Sequence, residues 1–258
     1  MIRRAFTLVE LLVVISIIGL LSTIAITQMS SSREKARIAR GLSYEGSVYR
    51  AVGDDLVSQW DLNDCSGTTA ADTSGGGNAG TLTAGASWST NTPSGQGCSI
   101  AFNGTAGCAT VPYIGMTSAS QTYSLWFNTA TASLQNVLSL RSTLIRVSST
   151  QVGWWPDVQS SPVYVTKTIS LNVWHQLVID QNGTTYNMYL DGGLISSGTA
   201  LAINNANYTN GIGCYGSSIF SGLIDDVRVF NRSLTSKEAW RLYVEEAPQH
   251  GFVAMFNR

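Results

Sequence analysis

Glu10 is a carboxylate placed near the start of an otherwise apolar run, residues 6–26. An acid held in a bilayer costs about 2.5–3.5 kcal/mol on insertion scales, so such a residue usually has a partner. The bland alternative is a side chain that reaches back to the headgroups from the helix end. Four cysteines follow the run: Cys65, Cys98, Cys108 and Cys214. None are spaced C-x-x-C, and His175 and His250 stand apart from them, so a zinc site is not expected. Two disulfides in an oxidising compartment are expected, with free buried thiols as the alternative. Three pairings satisfy four cysteines, and the spacing does not choose among them. Glycoside hydrolysis needs two carboxylates flanking one bond, and no strand candidate carries acids at alternate positions. Asp225 and Asp226 are adjacent, which sends them to opposite faces of a regular strand. His175 has no evident Ser or Cys beside it, so it is expected to be structural and the chain is expected not to be an enzyme. Trp154 and Trp155 are consecutive, ahead of Pro156. On a strand one of the two faces outward, where an indole can stack on a sugar ring. The competing reading is that both pack in the core or at its edge.

These residues need elements to position them. The chain has 258 residues, 12% of them charged, and a formal net charge of -1, which offers no basic footprint for nucleic acid. Residues 6–26, as a helix, would be about 31 Å long, the thickness of a bilayer core. Arg3 and Arg4 precede them, which keeps the N-terminus cytoplasmic. Ile38, Leu42, Val48, Val52 and Leu56 continue near-helical spacing, so residues 27–55 are expected to extend the helix as an amphipathic half. From residue 56 short runs of β-formers alternate with Gly, Ser, Asn and Thr clusters, as in an antiparallel sandwich. Thr235 precedes Glu238 by three residues, a capping box for the helix SKEAWRLY. Trp240 and Tyr243 lie on one face of that helix and are expected to pack on the sandwich.

The stretch RRAFTLVELLVVISIIGLLSTIAI resembles the N-terminus of type IV pilins and pseudopilins. The resemblance implies that prepilin peptidase cuts between Ala5 and Phe6 and that the new Phe6 amine is methylated. Ala5 stands where the family usually has Gly. It also places Glu10 on the family's glutamate. A free α-amine has an ordinary pKa of about 7.7–8.0, and Glu10 sits one helical turn beyond it. When subunits stack with an offset, Glu10 of one meets the amine of the next. That charge pair is sensitive to register, because leaving either partner alone in low dielectric is costly.

The remainder resembles the laminin-G-like, concanavalin-like jellyroll. The runs that carry the resemblance are WDLNDCSGTTAADTSGGGNAGTL, CSIAFNG, TYSLWFN, VWHQLVIDQNGTTYNMYLDGGLISSG and GLIDDVRVFNRSLTSKEAWRLY. Folds of this type often hold a structural Ca2+, and the resembling positions are Asp72, Asn78 and Asp225, hard oxygen donors suited to it. The alternative is that Asp72 forms only an Asx-turn and Asp225 accepts only backbone hydrogen bonds. No cofactor is required.

The expected organisation is α+β. It comprises a leader (1–5), a pilin-like helix (6–55; 6–26 transmembrane, 27–55 amphipathic), a jellyroll (56–247) with a short C-terminal helix, and a tail (248–258). The expected function is a structural subunit that polymerises through its helix into a surface filament. The alternative is a minor pilin, pseudopilin or adhesin whose jellyroll binds a glycan or surface partner. Expected partners are other pilin subunits, prepilin peptidase and the cytoplasmic membrane before assembly, with no nucleic acid.

Overall fold

The computed structural model describes residues 11–15, 55–116, 118–157, 161–202 and 210–246. Ala5, Phe6, Glu10 and most of the expected long helix lie outside the described residues. Residues 11–15 are helical. The chain divides into two units, Met1–Asp54 and Asp55–Arg258.

The second unit is an all-β sandwich followed by one helix. Its first sheet contains β1 (Leu56–Trp60), β4 (Ala86–Ser89), β5 (Ser99–Asn103), β7 (Ser120–Thr129), β12 (His175–Asn182), β13 (Thr185–Leu190), β14 (Gly193–Thr199) and β18 (Ser221–Phe230). They run in the order β14-β13-β12-β7-β18-β5-β4, and β1 pairs with β18 beside this path. The second sheet contains β2 (Thr69–Ala70), β3 (Gly80–Leu82), β6 (Ala109–Thr110), β8 (Gln135–Leu140), β9 (Thr143–Val147), β10 (Gln151–Trp155), β11 (Val163–Thr166) and β15 (Gly211–Ile212). Their order is β11-β10-β9-β8-β15-β6-β3-β2. A small hairpin joins β16 (Cys214–Tyr215) to β17 (Ser218–Ile219).

Alternation along the strands builds the core. Tyr123, Leu125 and Phe127 of β7 face inward, with Leu177 and Ile179 of β12 and Ile224, Val227 and Val229 of β18. Across from them lie Val137, Leu138, Ile145, Val147, Val152 and Trp154 of the second sheet. Each such side chain, taken fully out of water, contributes about 1.5–3 kcal/mol.

The outer face of the first sheet is buried too. Ser124, Trp126 and Val178 are sealed from solvent, and the Tyr243 ring of the helix Ser236–Glu246 stacks on Trp126 at 5.6 Å between centroids. Trp240 is only half covered and leans on Tyr243. The helix starts as its capping box predicts. The Thr235 amide donates to Glu238 Oε2 at 2.7 Å, and the Glu238 amide donates back to Thr235 Oγ1 at 3.3 Å.

Two staples choose one of the three pairings: Cys65–Cys98 and Cys108–Cys214. The first ties the loop after β1 to the start of β5. The second ties the entry of β6 to β16.

Asp225 and Asp226 depart from the alternation expected of them. Between Asp225 and Arg228 the β18–β7 register slips, and Asp226 sits at φ 43°. An extra residue at a bulge breaks the two-residue period, so simple face-swapping does not apply there. Both acids are buried, and Asp226 Oδ1 lies 3.0 Å from Arg228 Nε.

Candidate functional site

The Gly-rich loop after β1 brings Asp72 and Asn78 together, but around protein donors. Asp72 Oδ1 accepts the Gln59 amide at 3.0 Å, the Ser74 amide at 3.0 Å and the Ser74 hydroxyl at 2.6 Å. Asp72 Oδ2 accepts the Asn78 amide at 2.8 Å. Partial burial alone would raise this carboxyl, but the Ser74 hydroxyl and the three amides outweigh it and hold it below its ordinary value. The Asn78 side chain donates to Val57 O and Ser58 Oγ, and the Asn78 carbonyl accepts the Trp60 indole N–H. This is the Asx-turn alternative, with the carboxylate acting as the hub of the loop. Asp225 lies on β18, where its Oδ1 accepts the Asp226 amide at 2.9 Å. No cluster of three or more His, Cys, Asp or Glu that could hold a metal occurs among the described residues.

His175 is tied to the β13–β14 turn. Its Nδ1 lies 2.7 Å from Asp191 Oδ2, while Asp191 Oδ1 accepts the Gln176 amide at 2.9 Å. Its Nε2 is buried.

The consecutive tryptophans separate as a strand requires. Trp154 is wholly buried and packs on Tyr186 with centroids 5.4 Å apart, so its nomination as a sugar contact is corrected: it is a core residue. Trp155 projects from the opposite face of β10, where it is partly exposed. Gly153 lies between Arg146 of β9 and Tyr164 of β11 in the ladder, so no side chain rises at the centre of that row. The Trp155 indole occupies the space. Tyr164, 49% exposed, meets it edge-on with centroids 5.4 Å apart, and the Arg146 guanidinium stands 5.7 Å from the ring centroid. Arg146 also donates to Leu134 O at 3.1 Å, which fixes it. The result is an aromatic shelf on the outer face of the second sheet, with a cation beside it. Arg146 and Tyr164 were not nominated from sequence. Their membership depends on strand register, which the sequence signals only through the two-residue period of each strand.

A second feature was also missed. On the outer face of the first sheet, Ala101 of β5, Leu223 of β18 and Asn128 of β7 stand in one row. They floor a groove of about 300 Å3 whose lining adds Asn91, Asn172 and Ser221. Gly222 allows it: a Cβ there would lie 2.1 Å from the Asn128 carbonyl oxygen. The three asparagines are far apart in sequence, so no local pattern announced them.

Known proteins match both parts of the chain. Residues 1–26 match the prokaryotic N-terminal methylation motif. Over 63 residues the chain is 33% identical to the type IV major fimbrial protein FimA of Dichelobacter nodosus, covering 24% of this chain and 40% of that protein. Domain 4 of AbnA, a GH43 extracellular arabinanase from Geobacillus stearothermophilus solved with arabinotriose, superposes with TM-score 0.60 at 19% identity. That match covers 73% of this chain and 98% of the arabinanase domain. The ligand-binding domain of botulinum neurotoxin serotype D, solved with N-acetylneuraminic acid, gives TM-score 0.56 at 13% identity over 76% of this chain and 52% of the toxin domain. At such identities these two likenesses concern the fold. Residues 103–239, more than half of the sequence, match a family profile directly, and the chain belongs to the Concanavalin A-like lectin/glucanases superfamily.

Proposed function

We propose that this chain is a type IV pilin-like subunit that polymerises through its N-terminal segment and carries its jellyroll on a surface filament. The observation that carries the reading is the methylation motif on residues 1–26 joined to a separate sandwich unit. In this reading the leader is removed between Ala5 and Phe6, and the subunit waits in the cytoplasmic membrane. Glu10 then pairs with the Phe6 amine of a neighbour as the filament grows. Assembly relieves the cost of holding the acid in an apolar medium, because the carboxylate gains a cation there. The test is Glu10→Ala in the native organism. The variant accumulates in the membrane, and electron microscopy of sheared surfaces finds no fibres built from it. Abundant normal fibres would overturn the role. Mass spectrometry of wild-type fibres should find a chain that starts at methylated Phe6.

A second reading concerns what the filament displays. The Trp155 shelf, with its exposed Tyr164 edge and the Arg146 cation, favours glycan binding. Sugar rings present apolar C–H faces to an aromatic ring, and the fold neighbours include domains solved with sugars. The jellyroll then acts as a binding module and not as an enzyme. Support for that comes from Asp72, Asp225, Asp226 and His175, whose carboxylates and imidazole Nδ1 make structural contacts. A structural Ca2+ is not needed to explain the Asp72 loop, since four protein donors already serve the carboxylate. Glycan-array binding by the full-length protein, with at least one glycan signal lost in Trp155→Ala, tests this reading, and an array unchanged by that substitution overturns it.

A further inference from the structure

We propose that the amide-lined groove on the outer face of the first sheet is a second ligand site, one that takes a neutral, hydroxyl-rich chain, an oligosaccharide. It lies on a different sheet from the Trp155 shelf, so it stands independently of that reading.

The central observation is Asn128. Only 6% of the residue is exposed, and it lines the groove. Its side-chain amide has no hydrogen-bond partner among the described residues. The amide opens onto the groove, where its donor and acceptor are free to meet a ligand. Two more amides meet it. Asn91 accepts the Trp174 indole N–H at 3.0 Å through Oδ1, which aligns the amide and leaves its NH2 group available. Asn172 sits at φ 56° in the turn before β12, anchored by its own amide to Thr129 O at 2.9 Å, with its side chain at the groove.

The lining selects the ligand class. Asn91, Asn128, Asn172 and Ser221 are all uncharged, and each of these side chains carries both donor and acceptor capacity. Carbohydrate hydroxyls need that combination, since each is donor and acceptor at once. Ala101 and Leu223 supply an apolar floor for the C–H face of a ring. An extended peptide is disfavoured. It would need open backbone groups, and those of β5, β18 and β7 under the floor are already paired with each other. The volume lies at the small end of the range for ligand sites, suiting a short stretch of chain.

The test uses the full-length protein in detergent micelles with maltotriose, β-1,4-galactotriose and arabinotriose as probes, followed by saturation-transfer NMR. At least one trisaccharide should receive saturation and bind with a measurable Kd. Asn128→Ala should weaken it about tenfold, the loss expected for one or two hydrogen bonds. Asn172→Gly should weaken it similarly. Glycine suits the positive φ at residue 172, so this variant removes the amide while keeping the backbone relaxed, and it decides the matter if Asn128→Ala fails to fold. Every measurement is made in a Trp155→Ala background, which removes the shelf, so the transfer that is read belongs to the groove. In that background, no transfer to any of the three probes, or transfer that survives Asn172→Gly, overturns the assignment.

Discussion

Gly153 lies beneath the Trp155 indole, and a Cβ built at residue 153 would fall 3.1 Å from Cζ3 of Trp155 and 2.8 Å from Cε1 of Tyr164. The shelf therefore depends on a missing side chain in the strand between its two rings. Gly153→Val should lift both rings, which are free to move outward. Glycan binding at the shelf should drop while the melting temperature changes little. Loss of the folded state in Gly153→Val would show instead that the glycine serves the fold.

The two adjacent tryptophans should give opposite phenotypes. Trp154→Ala empties a sealed core position and should cost about 3–5 kcal/mol in chemical unfolding. Trp155→Ala removes a partly exposed ring and should cost far less, while abolishing shelf binding. Equal destabilisation by the two substitutions would contradict the placement of Trp155 outside the core.

Acid should weaken the C-terminal helix. Burial alone would raise the Glu238 carboxyl, but the Arg232 guanidinium and the amide and hydroxyl of Thr235 outweigh it, lowering it from 4.5 to about 2. A folded-state value below the unfolded one means that the stabilisation is complete above about pH 4.5 and fades as pH falls toward 2. Arg232 also contacts Asp55 at 2.8 Å, so the start of β1 is tied to the same cluster. Glu238→Gln should lower stability at neutral pH and flatten the melting temperature between those limits. Unchanged acid sensitivity in that variant would remove Glu238 from the account.

The disulfides should contribute unequally. Cys65–Cys98 spans 33 residues and Cys108–Cys214 spans 106. Chain-entropy reasoning assigns about 4 kcal/mol to the first and about 5 to the second. Unfolding of the paired Cys→Ser variants in denaturant measures both. The Cys108–Cys214 variant should have the lower midpoint.

Asp72→Asn should loosen the Gly-rich loop by turning two acceptor oxygens into one. Amide hydrogen exchange should rise at Ser74 and Asn78 while β7 stays protected. If added Ca2+ raised the melting temperature of the wild type and not of Asp72→Asn, the hub would be a metal ligand after all.

Much of the fold was legible in the chain. The runs at residues 122–128, 144–148 and 185–192 carry enough apolar alternation to be read as strands, and Thr235 with Glu238 announced the last helix. The strand β14 was harder: Gly193–Thr199 lies on the sheet edge with no buried side chain, so its sequence has no reason to alternate. Nothing in the run TYSLWFN announces that the outer face of β7 is shielded, since Ser124 and Asn128 are polar. Both are largely shielded in the fold, and Trp126 lies under Tyr243 of a helix distant in sequence. The bulge at Asp226 was invisible for a similar reason, since the slip belongs to the pairing with β7 and not to β18 alone.

Local chemistry by itself settled the methylation motif, the capping box and the even count of cysteines, because each depends on neighbours within a turn or on simple number. Tertiary structure decided which cysteines join, which of Trp154 and Trp155 meets water, and that Asn91, Asn128 and Asn172 share one groove. Those outcomes depend on strand order and register, which bring together residues tens of positions apart, and a linear pattern holds no record of that distance being closed.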